Sequence, residues 1–290
     1  MEKVLITGAG GFIGRHVYRA FAGDPGYETV GLLRTGGGPS FLCCDVLDRG
    51  SVRDVLARVR PDILVHCAWY VRPEDYLTSG ENVAFLKAGL DLYEDFYGAG
   101  GKRAVFVGTC FEYGVYDRLL PEDAFLAPKT LYACCKAGLG GVLTEKSRLD
   151  GVDFCWARLF YLYGEGENKT RVVPYIINGL LRGESPECSV GRQRRDYVYI
   201  DDAAAALKLI AQSGKGVYNV GTGEAVAFTD IYGALEGILG GRVLRVRDSS
   251  GEPACIQADV RRLEALGWAR RYSLAQGMER AVEWWRREAE

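Results

Sequence analysis

A tyrosine and a lysine four positions apart, Tyr132 and Lys136 in the segment LYACCK, are the residues whose spacing first suggests chemistry. On a helix their side chains lie on one face and are adjacent. A free phenol has a pKa of about 10, too high for a base at neutral pH, and a neighbouring ammonium lowers it by favouring the phenolate. The pair therefore predicts a proton shuttle, although an isolated spacing of this kind is more often an ordinary surface pair.

A hydroxyl group is predicted to lie close to this pair. The segment VGTCFEYG follows an apolar run upstream, so Thr109 falls at the end of a strand. At the carboxyl edge of a parallel sheet, Thr109 could hydrogen-bond a substrate oxygen while Tyr132 transfers the proton. On its own Thr109 would be an ordinary strand-end or turn threonine. The prediction therefore depends on its neighbours.

A glycine-rich turn near the start of the chain predicts a dinucleotide site. Residues 3–14 read KVLITGAGGFIG, an apolar strand that leads directly into Gly8, Gly11 and Gly14 and then into an amphipathic helix. Glycines at these spacings let the backbone turn sharply and approach a pyrophosphate, whose charge is met by the free amides at the helix start. Because both the strand and the helix are visible, a mere tight turn is the weaker interpretation.

The end of the second strand bears on which dinucleotide binds. An NAD site usually has an acidic residue there, whereas an arginine accommodates the extra phosphate of NADP. This chain has Leu33 at that place, followed by Arg34. The pattern favours NADP and leaves NAD as the alternative, with Arg34 then a solvated charge. Asp45 follows the third strand, where it could accept from the adenine amino group or only cap the helix near Ser51.

The elements that position these residues alternate between short apolar strands and amphipathic helices, which is typical of βαβ units. We expect an α/β fold with a doubly wound parallel sheet of the Rossmann type and a smaller C-terminal α/β lobe for the substrate. The dinucleotide-binding part with the catalytic residues is predicted to span 1–160 and the lobe 161–290, with an exchange of segments between them. Ser273 and Gln276 predict a capping box for the last helix. The predicted strands are 3–7, 29–33, 41–44, 63–67, 104–108, 154–159, 197–200, 217–220 and 243–247; the predicted helices are 12–22, 51–59, 81–97, 132–148, 173–182, 201–212, 229–239 and one from 273.

Composition excludes several classes of partner. The 290 residues carry 36 Lys and Arg against 38 Asp and Glu, which provides no overall field for nucleic acid or an anionic membrane. No apolar run approaches the roughly 18 to 20 residues of a spanning helix, so we expect a cytoplasmic protein. The nine cysteines are an odd number without CxxC spacing, which predicts reduced thiols and no metal site.

The motifs occur in a recognisable order along nearly the whole chain. They are GAGGFIG, HCAW at 66–69, GTCFEYG at 108–114, YACCK at 132–136, RLFYLYG at 158–164, RRDYVYIDD at 194–202 and LGW at 266–268. This set resembles the extended short-chain dehydrogenase/reductases, and within them the nucleotide-sugar epimerase/dehydratase family. The resemblance implies an NAD(P)-dependent enzyme that transfers a hydride at a sugar carbon of a nucleoside-diphosphate sugar.

The resemblance also implies roles for individual residues. Thr109, Tyr132 and Lys136 correspond to the catalytic positions, and Lys136 also bonds the cofactor ribose. The helices at 81–97 and 132–148 resemble the pair that forms a homodimer interface in the family. The remaining implied cofactor contacts are Gly8, Gly11, Phe12, Ile13, Gly14, Arg34, Asp45, Val46, Cys67, Ala68 and Tyr132, and the implied substrate contacts are Thr109, Tyr161, Arg195 and Arg247. Tyr161 departs from the asparagine that is usual at its place.

The residues after Thr109 help to separate the family's reactions. Dehydratases have an Asp-Glu pair there, whereas this chain has Cys110 and Phe111, which cannot act as acid and base at neutral pH. Glu112 comes one position later and, in an extended segment, would point to the opposite face. Enzymes of the GDP-fucose-synthase type are also disfavoured, because their cysteine and histidine pattern is not matched.

Two oxidoreductase interpretations remain, and a third stands outside catalysis. Arg34 favours an NADPH-dependent 4-keto-sugar reductase over an NAD-dependent nucleotide-sugar 4-epimerase, and GTCFEYG resembles the turns of CDP-linked deoxysugar reductases. A non-catalytic dinucleotide-binding sensor or scaffold would keep the glycine turn without needing Tyr132 and Lys136.

Overall fold

The computed structural model describes residues 1–114, 118–188, 193–245 and 254–289. Its main layer is a sheet of seven parallel strands in the order β11-β7-β5-β4-β1-β2-β3. The strands of the chain are β1 Glu2–Thr7, β2 Tyr27–Leu33, β3 Phe41–Cys43, β4 Ile63–His66, β5 Arg103–Thr109, β6 Leu119–Leu120, β7 Asp153–Leu159, β8 Tyr161–Tyr163, β9 Glu187–Cys188, β10 Arg194–Tyr199, β11 Gly216–Val220, β12 Ala225–Ala227, β13 Leu244–Arg245 and β14 Cys255–Ala258.

Some of the helices cover both faces of this sheet, and others pack against a smaller sheet. They are α1 Phe12–Ala22, α2 Arg49–Val59, α3 Glu81–Gly98, α4 Leu131–Asp150, α5 Val172–Leu181, α6 Ile200–Ser213, α7 Phe228–Leu239, α8 Arg261–Glu264 and α9 Leu274–Ala289. One apolar core lies between the sheet and α1 and α6, and a second lies between the sheet and α2, α3 and α4. Successive strand residues alternate between the two cores, as Leu5 and Ile6 do. The predicted doubly wound parallel sheet is confirmed.

A smaller sheet lies beside the large one. Its path is β12-β10-β14-β6, and β8 pairs in parallel with β10. A third core joins this sheet to α5, α7 and α9. The sequence did not predict the two- to four-residue strands β6, β8, β9, β12 and β14, since runs so short carry no periodicity.

The seventh strand of the large sheet comes from the second half of the chain. β11 pairs with β7 in parallel from Gly216 opposite Cys155 to Val220 opposite Leu159. The crossover from β7 to β11 passes through the small sheet and then α6. The two sheets are therefore connected by chain passing between them more than once.

Element boundaries differ modestly from the predictions. The sixth helix begins at Ile200, where a strand end was expected, and β13 ends at Arg245 within the described residues. The predicted capping box is confirmed, because the backbone N–H of Ser273 donates to Gln276 Oε1 at 2.9 Å and that of Gln276 donates to Ser273 Oγ at 3.3 Å. Across the described ranges, no helix combines the length and the apolar character needed to cross a membrane.

Candidate active site

The glycine turn between β1 and α1 forms a backbone cradle. Gly8 has a left-handed φ of 66°, and a Cβ there would lie 2.9 Å from the Cα of Ala68. A Cβ on Gly14 would lie 2.2 Å from the carbonyl oxygen of Gly8. The helix N-cap is Gly11, which has no side chain to occupy the first amides of α1. The turn therefore fits a pyrophosphate, which those amides and the helix dipole would stabilise.

The predicted cofactor residues surround this cradle. Phe12 and Ile13 are the first two residues of α1. At the end of β4, the N–H of Cys67 donates to the Thr7 carbonyl at 3.3 Å and that of Ala68 donates to Thr7 Oγ1 at 3.2 Å. These contacts hold the β4 end against the glycine turn.

The carboxyl ends of β2 and β3 lie at the same edge of the large sheet as the glycine turn. Leu33 lies beside the glycine turn, with its Cδ2 3.1 Å from the place of a Cβ on Gly10. Arg34 is exposed directly after it. Asp45 is exposed and Val46 is half-buried after β3.

The alternative that Asp45 only caps the next helix is wrong. Its Oδ1 accepts the N–H of Leu47 at 3.0 Å. The N-cap of α2 is Asp48, whose Oδ1 accepts from Gly50 at 3.0 Å and from Ser51 at 3.3 Å. Helix α2 therefore starts two residues earlier than predicted, and the carboxylate of Asp45 is not used as a cap.

Thr109 and Tyr132 come together at the carboxyl end of β5. Thr130 is the N-cap of α4 and accepts the N–H of Ala133 at 3.2 Å, which places Tyr132 in the first turn. The Thr109 side chain lies close enough to Tyr132 to act on its phenol. Burial raises the pKa of Tyr132, and hydrogen bonding by Thr109 lowers that pKa in part. The phenol is therefore protonated at neutral pH.

Lys136 lies one turn further along α4, enclosed by aromatic rings. Its Nζ donates to the carbonyl oxygen of Val107 at 2.7 Å and lies 3.7 Å from the centroid of the Trp69 ring. Burial lowers the pKa of Lys136 to about 7. In this structure the neighbour that most lowers the pKa of Tyr132 is Thr109 and not the expected ammonium.

A ring of aromatic side chains surrounds Tyr132. The centroid of its ring lies 5.3 Å from that of Tyr76, 6.4 Å from that of Trp69 and 6.5 Å from that of Phe111, each in an edge-to-face arrangement. Arg171 reaches this group, because its NH1 donates to the Tyr76 hydroxyl at 3.5 Å. No motif pointed to Tyr76 or Arg171, since the loops that carry them have no regular pattern.

Two predicted substrate residues, Tyr161 and Arg195, follow Phe111 in a series of contacts that starts at Tyr132. The Tyr161 ring is 6.1 Å from that of Phe111 and 5.7 Å from the guanidinium carbon of Arg195. Arg195 is 1% exposed, so in this conformation its side chain forms the wall between β8 and α7. Arg247 lies outside the described residues.

Glu112 occupies a place that the sequence did not predict. A short 3-10 turn, Cys110–Glu112, follows β5, so the segment is not extended. The Glu112 carboxylate turns back and accepts the N–H of Thr109 at 2.8 Å and Nε of Arg158 at 2.7 Å. The side chain is 0% exposed. Glu112 therefore does not face the cleft as an acid or a base.

Both histidine side chains are buried and have structural partners. His66 Nδ1 lies 2.8 Å from Thr7 Oγ1, and His16 Nδ1 lies 2.7 Å from Asp201 Oδ1. Among the described residues, no three His, Cys, Asp or Glu side chains form a group that could hold a metal ion.

Comparison with known proteins identifies the relatives of this chain. Residues 4–221 match the family model described as the NAD dependent epimerase/dehydratase family. The CDP-abequose synthase of Salmonella muenchen is 24% identical, over 97% of this chain and 97% of that protein. The dTDP-glucose 4,6-dehydratase of Actinoplanes sp. is 27% identical, over 98% of each chain. The crystal structure of the UDP-glucose 4-epimerase of Thermus thermophilus with NAD is 26% identical, has a TM-score of 0.85 and matches over 98% of this chain and 99% of that one.

Proposed function

The chain belongs to the NAD-dependent epimerase/dehydratase family, and from that premise we propose that it is an NADPH-dependent reductase of a nucleoside-diphosphate 4-keto sugar. One observation carries the proposal. The Thr109 side chain lies beside Tyr132, whose pKa it lowers, at the sheet edge that also carries the glycine cradle, and the two residues directly after Thr109 are not an acid-base pair. Such a site can move one proton to or from one oxygen.

The proton transfer follows from the two hydroxyls and the lysine. When bound, the reduced nicotinamide supplies the hydride to the ketone carbon. Tyr132 donates its phenolic proton to the ketone oxygen, and Thr109 hydrogen-bonds that oxygen as it gains charge. Lys136, on the same face of α4, stabilises the phenolate that remains. Burial keeps the phenol protonated before the reaction, which suits a group that must donate.

The surroundings of Thr109 disfavour dehydration. Cys110 is 3% exposed and burial raises its thiol pKa, so it carries no charge at neutral pH. Phe111 has no ionisable group. The carboxylate of Glu112 is bonded inside the protein. Eliminating water across a sugar ring requires a second acid and base at the substrate, and these three residues supply neither.

The residues at the carboxyl end of β2 favour NADP over NAD as the cofactor. Leu33 lies beside the glycine turn, and its side chain has no oxygen to accept a hydrogen bond from a ribose 2′-hydroxyl. Arg34 is exposed next to it, as a 2′-phosphate would require. Phe12, Ile13, Val46, Cys67 and Ala68 lie along the same edge, and Gly8, Gly11, Gly14 and Lys136 complete the set that would hold the cofactor.

For the substrate we propose that Tyr161, Arg195 and Arg247 contact the nucleotide sugar. We further propose that residues 1–160, together with α6 and β11, bind the dinucleotide and carry catalysis, and that the rest of 161–290 forms most of the substrate side. The similarity to a CDP-abequose synthase makes a CDP-linked sugar the first substrate to test. Arg195 is 1% exposed beside Tyr161, so its guanidinium would have to turn toward the cleft to hold the diphosphate while the sugar reaches the hydroxyls.

The decisive experiment offers NADPH with CDP-, dTDP- and UDP-linked 4-keto-6-deoxyhexoses. We expect oxidation of NADPH that matches formation of a 4-hydroxy sugar one to one, and transfer of deuterium from labelled NADPH to the product. Tyr132→Phe, which removes only the donated proton, is the matched control and should bind dinucleotide without turnover. Binding without turnover in the unmodified protein would contradict catalysis and support a sensor or scaffold.

An NAD-dependent 4-epimerase is the second candidate. It is favoured by the similarity to the Thermus thermophilus UDP-glucose 4-epimerase with NAD. An epimerase would copurify with NAD and interconvert two sugars without net consumption of cofactor. Mass spectrometry of the bound cofactor and product analysis with an NDP-hexose separate the two candidates.

We also propose a cytoplasmic homodimer formed through α3 and α4. Val142 is 54% exposed and Leu149 is 88% exposed on α4, and Val83 is 39% exposed on α3. Sedimentation should show a dimer that Val142→Glu dissociates. Phe125→Glu is the control, because Phe125 is 77% exposed on a loop that belongs to neither helix. A dimer that survives Val142→Glu would place the interface elsewhere.

A further inference from the structure

The carboxylate of Glu112 is bonded on several sides close to the site. It accepts the backbone N–H of Thr109 at 2.8 Å, Nε1 of Trp156 at 3.0 Å and Nε of Arg158 at 2.7 Å. The side chain is 0% exposed. A buried carboxylate costs free energy unless several donors compensate it. Its full set of partners leaves it no role as a proton donor or acceptor for substrate.

The first of these partners, Thr109, belongs to the catalytic hydroxyl pair. Thr109 caps the 3-10 turn, with its Oγ1 accepting the N–H of Phe111 at 3.3 Å while Glu112 holds the N–H of Thr109 itself. This reciprocal pattern fixes the Thr109 backbone and hydroxyl together. From that fixed position the hydroxyl meets Tyr132. A displacement of about 1 Å in such a pair can cost roughly 100-fold in rate.

The second partner, Trp156, lies close to the lysine. The Trp156 ring is 6.0 Å from Lys136 Nζ. A Cβ on Gly108 would lie 2.3 Å from Nε1 of Trp156, and a Cβ on Gly140 would lie 2.5 Å from its Cε2. The indole therefore has no room to shift, and its N–H points at Glu112. Glu112 thus holds one wall of the pocket in which Lys136 lies.

Glu112 and Lys136 lie on the same indole, because Nε1 of Trp156 donates to Glu112 at 3.0 Å and the Trp156 ring centroid lies 6.0 Å from Lys136 Nζ. Burial is the main influence on the pKa of Lys136 and disfavours its ammonium, whereas Glu112 and Cys67 favour the ammonium. His66 is buried on the same side, and the charge of Lys136 lowers its pKa further. Glu112 itself forms a buried ion pair with Arg158. The Arg158 guanidinium also donates to the Tyr113 hydroxyl and to the Glu122 carbonyl.

We propose that Glu112 is a positioning residue for the proposed reductase: its carboxylate fixes Thr109 and Trp156, and its negative charge stabilises the ammonium of Lys136. This inference rests on the proposed function for its kinetic part only. The effect of the Glu112 charge on Lys136 is a property of the protein without cofactor or substrate. This electrostatic part of the proposal can be measured whether or not the substrate has been identified correctly.

Two double variants separate position from charge. Removing Glu112 alone would leave Arg158 buried without its partner, so Arg158→Met accompanies each change. Glu112→Gln/Arg158→Met keeps a side-chain carbonyl for Thr109 and Trp156 but removes the charge. Glu112→Leu/Arg158→Met removes both. Glu122→Gln is the control, because Glu122 accepts the N–H of Asn219 at 2.9 Å in the same buried network without touching Thr109.

The first measurement is the pKa of Lys136 in the cofactor-free protein, by NMR of ¹³C-labelled lysine with Lys136→Arg for assignment. Glu112 is named among the charges that act on the Lys136 pKa and Arg158 is not, so the loss of Arg158 should not offset the loss of Glu112. We therefore expect Lys136 to titrate below its wild-type pKa in both double variants and at the wild-type pKa in Glu122→Gln. An unchanged Lys136 titration in both double variants overturns the electrostatic part, even if no substrate has been found.

The second measurement is kcat at a pH below the lowest Lys136 pKa found in the first measurement, so that the ammonium is present in wild type and in all variants. Glu112→Gln/Arg158→Met should stay within about 3-fold of wild type, whereas Glu112→Leu/Arg158→Met should lose roughly 10- to 100-fold with little change in KM. Equal kcat in both double variants overturns the positioning part. Failure of the wild-type protein to reduce any 4-keto sugar overturns the proposed function and leaves the lysine titration to be judged separately.

Discussion

The ammonium nitrogen of Lys136 lies over the face of Trp69, 3.7 Å from the ring centroid. The indole is fixed, because its Nε1 donates to Asn82 Oδ1 at 2.8 Å and the Asn82 amide donates to the Tyr76 carbonyl at 2.7 Å. An aromatic face stabilises a cation, but the enclosure also removes water from it. The balance leaves Lys136 with a pKa of about 7, so its side chain changes charge near neutral pH.

Activity is therefore expected to fall as the pH rises through the pKa of Lys136. The charged form is present below about 7 and is lost above it, and with it the stabilisation of the Tyr132 phenolate. The check is kcat/KM as a function of pH for wild type and for Lys136→Arg, which stays charged throughout. If the arginine variant shows the same alkaline decline, the titrating group is not Lys136.

Removing the phenolic hydroxyl should stop turnover while the dinucleotide still binds. We expect Tyr132→Phe to lose at least about 1,000-fold in kcat, because general acid catalysis contributes on this scale. Thr109→Val should lose roughly 10- to 100-fold, whereas Thr109→Ser, which retains the hydroxyl, should lose little. Stopped-flow kinetics and a fluorescence titration with NADPH measure the two properties. Near-normal turnover by Tyr132→Phe would contradict the mechanism.

The glycine cradle has no room for a methyl group at Gly14. A Cβ there would meet the Gly8 carbonyl oxygen at 2.2 Å, so Gly14→Ala should abolish dinucleotide binding. Gly233→Ala is the matched control on helix α7, where a Cβ meets nothing within 4 Å. The control should be more stable by about 1 kcal/mol, because alanine favours helix. Calorimetric titration and urea unfolding measure both effects, and intact binding by Gly14→Ala would refute the cradle.

Arg34 is expected to set the preference between the two dinucleotides. Arg34→Ser should raise the KM for NADPH about 10-fold or more and leave that for NADH nearly unchanged, because only the former has a 2′-phosphate. Arg58→Ser removes an equally exposed charge from the last turn of α2 and should change neither. Equal effects of Arg34→Ser on both cofactors would favour NAD as the natural one.

Acid should destabilise the protein through His66. Burial lowers the pKa of His66 from 6.5 to about 3. At pH values between these two, His66 is protonated in the unfolded chain and neutral in the folded protein. Stability therefore falls as the pH falls below 6.5, by about 1.4 kcal/mol per pH unit for this one group. Urea unfolding of wild type and His66→Gln tests this. A slope that is the same in both proteins would assign the acid sensitivity to other groups.

The sequence predicted those parts of the site that local spacing determines. The strand before Gly8, the one-turn separation of Tyr132 and Lys136, and Thr109 at the end of a strand all follow from short-range patterns. Parallel pairing then brings strand ends to one edge without further information. The main layer of the fold was predictable for the same reason.

Contacts made by distant side chains were not predictable. Glu112 lies beside Arg158 because a 3-10 turn reverses the chain after β5 and because β5 and β7 are neighbours. Trp69 covers Lys136 because Asn82 holds its indole. Each depends on the packing of two or three elements, whose register no single segment encodes.

The pairing of β11 with β7 also has a consequence for biosynthesis. A nascent chain that has emerged only as far as Leu159 exposes the outer N–H and C=O groups of β7 to solvent, without a neighbouring strand until Gly216–Val220 arrives. Unpaired strand edges of this kind invite association with other chains. Ribosome-bound intermediates of this length should therefore depend on chaperones, and a fragment cut at this point should precipitate rather than refold.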